Sequence, residues 1–210
     1  MKVAVVFDHP CGEQAGYNEP HNRSFTSALL VATVAALKAR GDEVDAIDLH
    51  ADNFDPVMHK QDLQNWRTKP FVDEQSQNYF ERLYSSDEII MLFPMWWEMM
   101  PAMTKGFIDK VFAKGQLRAV KLGGARREIL NTNIKVRILT VSGAPTFAYK
   151  WIYGNPVGRM LKRGVFGKSG IKNFKWHNFN AEDTTPAGRQ KMLDNITNVY
   201  FTRIIHALNF

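Results

Sequence analysis

The sequence predicts an α/β domain whose five parallel strands, in the order 2-1-3-4-5, carry helices on both faces. Three observations predict it. Short, nearly continuous apolar runs alternate along the chain with longer amphipathic stretches, and such runs mark strands buried on both faces. Strict alternation of strand and helix argues for a parallel sheet with crossover helices. The 210 residues, 45% hydrophobic and 23% charged, suit one domain over 1–210 and five strands better than the six-stranded dinucleotide order.

Each element has its own justification. Residues 2–7 (KVAVVF) form the first apolar run. A polar, turn-rich loop follows from Asp8 to Asn22. Ser24 then opens an Ala- and Leu-rich helix to Arg40, with a hydroxyl near its N-cap and Gly41 at its stop. Residues 43–49 alternate as a strand, 73–86 read as a helix, and 88–93 (EIIMLF) form a third, buried strand. Pro101 suits the first turn of a helix running to about Lys114. Residues 135–141 give a fourth strand, 171–179 a fifth, and 186–208 a closing helix begun by Pro186. The expected sheet is doubly wound, in the flavodoxin-like order. In such sheets ligands bind outside the carboxyl ends of the strands at the switch point, here the segments 8–26, 94–100 and 142–149.

Composition narrows the function classes. The formal net charge is +6, but residues 114–175 hold 14 Lys/Arg against the single acid Glu128, and the rest of the chain is mildly acidic. The basic stretch reads as a solvated face or as an attraction for phosphates, and no nucleic-acid motif accompanies it. No apolar run approaches the ~20 residues that cross a bilayer, so no membrane insertion is expected. One cysteine, Cys11, excludes an internal disulfide framework or a cysteine-rich metal site, and no metal is expected. The apolar N-terminal run is too short for a signal peptide, and the expectation is a reduced, cytoplasmic protein.

The three loops carry the candidate chemistry. In the first, His9 follows a strand end, and Arg23, Ser24, Phe25 and Thr26 stand at a helix N-terminus, where amides, hydroxyls and a guanidinium suit phosphate oxygens; an ordinary capped helix reads equally well. Neither a Gly-x-x-x-x-Gly-Lys-Ser/Thr loop nor a GxGxxG fingerprint opens this helix. The second loop, Pro94-Met95-Trp96-Trp97-Glu98-Met99-Met100-Pro101, sets two Trp and three Met where backbone turns toward solvent. A flat heterocycle, a partner subunit or packing under the next helix would each account for them. The third loop offers Ser142 and the Gly143 amide, with Tyr149 close behind as a donor or a packed aromatic.

These residues resemble the flavodoxin-like NAD(P)H quinone reductase family, the FAD-dependent diaphorases and their bacterial relatives. The resemblance rests on His9 with Ser24-Phe25, and on F-P-x-x-W…P-A-x-x-K-G-[WF]-x-[DE]-[RK]-V-[FI], met by Phe93 to Phe112. It implies a flavin enzyme that works by ping-pong, taking hydride from NAD(P)H and passing two electrons to quinones or similar flat acceptors. It implies FAD, with FMN as the alternative, and a homodimer with active sites at its interface. His9, Ser24 and Phe25 would hold the cofactor's phosphates. Pro94, Met95, Trp96 and Trp97 would support the ring, and Ser142 with Gly143 its pyrimidine edge. Tyr149 would stabilise charge on the reduced flavin. The chain departs from the family in three places: a long Cys11–Arg23 loop, Thr26 where the family has Asn, and Asn155 where animal members place a histidine. Alternative readings are an ancillary subunit of a transport protein, an FMN-dependent azo- or nitroreductase, and an electron shuttle, the last disfavoured by the positive charge.

Overall fold

The computed structural model describes residues 1–17, 24–113 and 133–196. Arg23, the basic residues Arg118, Arg126 and Arg127, and the last part of the expected closing helix lie outside them. Five strands, β1 (Lys2–Phe7), β2 (Glu43–Asp48), β3 (Glu88–Pro94), β4 (Lys135–Ser142) and β5 (Phe174–Asn180), form one sheet in the order β2-β1-β3-β4-β5. Every pairing is parallel, with Val3 opposite Val44, Val5 opposite Ile90, Met91 opposite Ile138 and Ser142 opposite Asn180. The expected fold and strand order are those observed.

Alternation along β1 shows why the sheet is covered twice. Val3, Val5 and Phe7 pack with Leu29, Leu30 and Leu37 of α1 (Phe25–Ala39) on one face. Ala4 and Val6 point the other way, into a core with Tyr79, Phe80 and Leu83 of α3 (Glu74–Tyr84) and Phe107 of α4 (Ala102–Val111). A strand apolar at every position can serve both layers. The first face is completed by α7 (Pro186–Ile196), whose Ile196 is buried with α1.

Several elements go beyond the sequence reading. A 3₁₀ turn, Glu13–Tyr17, lies within the expected loop, and Gly16 lets it rest on α1, since a Cβ there would stand 2.9 Å from the Ser27 and Ala28 backbone. Helix α2 (Lys60–Thr68) fills the segment before α3. After β4 the chain enters α5 (Thr146–Trp151) and α6 (Pro156–Arg159), the latter running on as a π-helical stretch, Met160–Phe166. Strand β5 begins at Phe174, three residues later than expected, because Ile171 is buried in a turn whose amide bonds the Phe166 carbonyl at 3.0 Å.

The basic stretch proves divided in its roles. Arg137 lies on β4 near the amino end of the sheet and pairs with the buried Glu88, far from the carboxyl edge. Lys150, on α5, stands 5.7 Å over the Trp176 ring.

Candidate functional site at the carboxyl edge of the sheet

The carboxyl ends of β1, β3 and β4 bring the three expected loops side by side. At the end of β1, Asp8 is buried and accepts hydrogen bonds from the Thr104 amide at 2.8 Å, the Thr104 hydroxyl at 2.5 Å and His50 Nε2 at 2.9 Å. Thr104 stands in the first turn of α4, where an anionic acceptor suits the helix's unpaired amides. Asp8 therefore ties the strand carrying His9 to the helix that follows the Trp loop. Its role was not read from the sequence, since the partner lies 96 residues away; an acid directly after a buried apolar run is the one local signal.

His9 is half-buried, its ring stacked on Phe7 at 6.4 Å. Its Nδ1 accepts from the Cys11 amide at 3.2 Å, which assigns the proton of the neutral ring to Nε2. Burial lowers the His9 pKa from its ordinary value, against an opposing pull from Asp8. At the start of α1, Ser24 is the N-cap: its Oγ accepts from the Ser27 amide at 3.1 Å, leaving the hydroxyl proton for another acceptor. Ser27 Oγ in turn donates to the Gly12 carbonyl at 2.7 Å and fixes the loop. Phe25 packs 6.3 Å from Phe179, and Thr26 is buried. These two side chains are turned inward, so what they can bring to a ligand is backbone N–H.

The second loop is a tight hairpin. Trp96 and Met99 exchange backbone hydrogen bonds at 2.9 and 3.0 Å, and the two residues between them, Trp97 and Glu98, have φ of 51° and 60°. Both central residues at positive φ is the geometry short hairpins prefer, normally with Gly or Asn. Here a tryptophan and a glutamate carry it, a local strain that marks functional sites. Pro94 is buried at the end of β3, and the Met95 amide is held by the Val141 carbonyl at 2.7 Å. Trp96 is 51% exposed and Trp97 98% exposed. The hairpin thus stands off the sheet with its aromatic faces uncovered.

In the third loop, Ser142 Oγ donates to the Ala144 carbonyl at 3.0 Å and accepts from Asn178 Nδ2 at 2.7 Å. Asn180, oriented by its neighbours, donates to the carbonyls of Ser142 and Gly143 at 3.3 and 3.0 Å. Gly143 lets the Glu182 carboxylate pack against the loop, since a Cβ there would meet its Oε2 at 2.2 Å. Tyr149, expected as a donor in the cleft, is 0% exposed. Its hydroxyl donates to the Glu98 carbonyl at 3.0 Å and accepts from the Val157 amide at 3.2 Å. A phenol has one proton to give, and in this structure the protein takes it. Burial first, and the Glu98 charge after it, push the Tyr149 pKa up, the Val157 bond opposing. Asn155 holds the left-handed conformation at φ 52°, and its Oδ1 accepts from the Gly158 amide. The amide at this position is therefore occupied as a helix cap.

The three loops together offer hydrogen-bond donors for an anion on one side and the exposed Trp96 and Trp97 on the other. Among the described residues no cluster of His, Cys, Asp or Glu could hold a metal ion, and no helix is long and apolar enough to cross a membrane. The cavities between α2 and α3, about 410 Å³, and between α1 and α7, about 440 Å³, are lined by none of the candidate site residues; of the three loops only Gly16 reaches one of them.

This edge belongs to a known class. The family described as having a flavodoxin-like fold matches residues 1–199, and the chain belongs to it. An FMN-dependent NADH:quinone oxidoreductase of Mycoplasma genitalium is 30% identical over 154 residues, 72% of this chain and 75% of the relative. An uncharacterized NAD(P)H oxidoreductase of Escherichia coli K12, YcaK, is 36% identical over 98 residues, 46% of this chain and half of its own length. Among solved structures, a protein from Streptococcus mutans UA159 superposes with a TM-score of 0.76 at 26% identity, covering 95% of this chain and 98% of that one. The family expected from the Trp-loop motif is the one these comparisons give.

Proposed function

We propose that the chain is a flavin-dependent NAD(P)H oxidoreductase that passes two electrons from reduced nicotinamide to quinones or similar flat acceptors. The observation that carries the reading is the Trp96–Met99 hairpin, a strained turn exposing two tryptophans at the carboxyl edge of the sheet. The described residues leave Trp97 almost bare and Trp96 half-exposed, and a flat heterocycle stacked there would cover them.

The residues fit such a cofactor. His9 Nε2–H, the Ser24 hydroxyl and the first-turn amides at Phe25 and Thr26 would hold phosphate, with Arg23 as a further cation. Pro94, Met95, Trp96 and Trp97 would form the ring's platform, and Ser142 with Gly143 would line its edge. Tyr149 acts as a positioning residue that locks Glu98 and the hairpin to the Val157 segment. A bound flavin supplies the electron transfer itself; the protein binds it, orients it and excludes water. The motif resemblance favours FAD, and the FMN-dependent relative makes identification of the released flavin decisive.

The same geometry favours a homodimer. Trp97, Phe147, Trp151, Ile152 and Tyr153 are exposed, and the Tyr149–Glu98 hydrogen bond ties the hairpin that carries Trp97 to α5. A second copy covering those side chains would complete the site. On this proposal the protein would work in the cytoplasm as one flavin-binding domain.

The test is purification followed by chromatography of the released flavin and steady-state NADH and NADPH oxidation with a simple benzoquinone. The expected result is a yellow protein releasing FAD with robust turnover. Release of FMN alone overturns the FAD assignment, and a colourless protein that takes up neither flavin overturns the function.

A further inference from the structure

Glu98 is the least explained residue of the hairpin. It is the second central residue of the turn, with φ of 60°, and its carbonyl is held by the Tyr149 hydroxyl. Its Oε2 is buried and has no hydrogen-bond partner, and no ion pair with Glu98 occurs among the described residues. A buried carboxylate oxygen without a donor is costly. The left-handed backbone that carries it adds a further cost. A solvated glutamate would need neither condition.

We propose that Glu98, buried within the loop that forms the ring platform, lowers the reduction potential of the bound cofactor through its negative charge. The proposal rests on the flavin reading above. Glu98 lies on the loop assigned as the ring platform, and Tyr149, close behind the loop assigned to the ring's edge, binds its backbone. Oε2 is covered by protein atoms, so its charge would act on the ring through its field across a short low-dielectric path and not through a hydrogen bond. Adding two electrons and one proton leaves a net negative charge on the ring, and a fixed carboxylate opposes it. The neighbours that hold the turn do not neutralise the carboxylate. Tyr149 is a neutral phenol whose own ionisation Glu98 disfavours, and Asn155 is an uncharged amide engaged in capping α6. The consequence is a stronger hydride donor to the acceptor, together with a weaker hold on the reduced cofactor.

The experiment compares midpoint potentials of the holoprotein, by dye equilibration, for the wild type, Glu98→Gln and Glu98→Asp. Removing the charge should tighten binding of reduced relative to oxidised flavin at least tenfold, a positive shift of about 30 mV for a two-electron couple. Glu98→Asp should stay at the wild-type potential. An unshifted Glu98→Gln, or an Asp variant shifted as far as the Gln variant, overturns the proposal. If Glu98→Gln loses its flavin on purification, titration of its apoprotein with oxidised and with reduced flavin gives the same ratio by a closed cycle. A wild type that binds no flavin overturns the functional reading itself, whereas a flavin-loaded wild type with an unshifted Gln variant overturns this inference alone.

Discussion

The hairpin Trp96–Met99 and helix α4, three residues further on, follow opposite physical rules although one continuous motif contains both. In the hairpin, two non-glycine residues hold positive φ, at about 1 kcal/mol or more each, and Trp97 leaves nearly all its surface in water. Helix α4 is instead closely packed where it meets the fold. Gly106 lies against the backbone of Pro56, where a Cβ would come within 2.3 Å of the carbonyl oxygen. Phe107 is fully buried among Phe54, Tyr79 and Phe112, with ring centroids 5.6–6.1 Å apart, worth about 2–3 kcal/mol as apolar burial alone. Lys110, only 4% exposed, pairs with Asp62 at 3.2 Å and Asp73 at 3.1 Å. The K-G-F-x-D-K half of the motif packs into the fold, the F-P-x-x-W half forms the proposed site, and a signature that identifies a family need not be functional along its whole length.

The sharpest way to break this comparison is Gly106→Ala. The added methyl collides with backbone that cannot rotate away, so the variant should lose about 3 kcal/mol of stability in chemical denaturation. A loss under about 1 kcal/mol would show that α4 can slide off Pro56, and that its packing is looser than the hairpin's contrast requires.

Lys110→Met tests the same helix through charge. It removes the cation and leaves Asp62 and Asp73 facing one another, at about 2 kcal/mol, below the cost for a fully buried pair because Asp73 reaches solvent. Burial pushes the Asp73 carboxyl up, but the Ser76 amide and then Lys110 outweigh it and hold its pKa below the ordinary value. A lowered carboxylate stabilises the fold above its unfolded pKa and loses that contribution as pH falls through the folded one. The wild type should therefore lose stability below about pH 4, and Lys110→Met should flatten that acid limb. Parallel stability–pH curves for the two proteins would remove Lys110 from the network.

The comparison also explains what sequence could and could not show. Strands β1, β3 and β4 are legible because burial on both faces writes an unbroken apolar run, and α4 because Pro101 marks its start. Helix α2 is not, because KQDLQNWRT carries no apolar stripe. It is tied down instead by Asp62, which receives the His59 amide at 3.0 Å and Lys110 from across the chain, and by Asn65, which donates to the Val72 carbonyl at 2.8 Å. The Trp loop is legible as a site because bulky apolar residues at a strand's end contradict local rules, and such contradictions gather where function is. Asp8 and Tyr149 are opaque for a shared reason: each is defined by partners far along the chain, Thr104 for one and the Glu98 carbonyl for the other. Residue type alone gives a tyrosine after a glycine loop a proton to donate; only the fold shows where that proton goes.

The smallest expected change in stability sharpens the contrast most. Trp97→Ala should move the unfolding free energy of the apoprotein by no more than about 0.5 kcal/mol, as for other exposed positions, since the side chain buries almost nothing in the chain itself. Relief of crowding at a left-handed residue does not offset this, because alanine also has a Cβ. Flavin affinity should nonetheless fall roughly tenfold, the scale of one lost aromatic face, read by fluorescence titration of apoprotein. A stability loss like that of Gly106→Ala would place Trp97 in the core logic of α4, and an unchanged flavin affinity would leave its exposure to the partner subunit alone. The expected pairing, near-zero for folding and tenfold for the cofactor, is the signature of a residue retained against the fold's own interest.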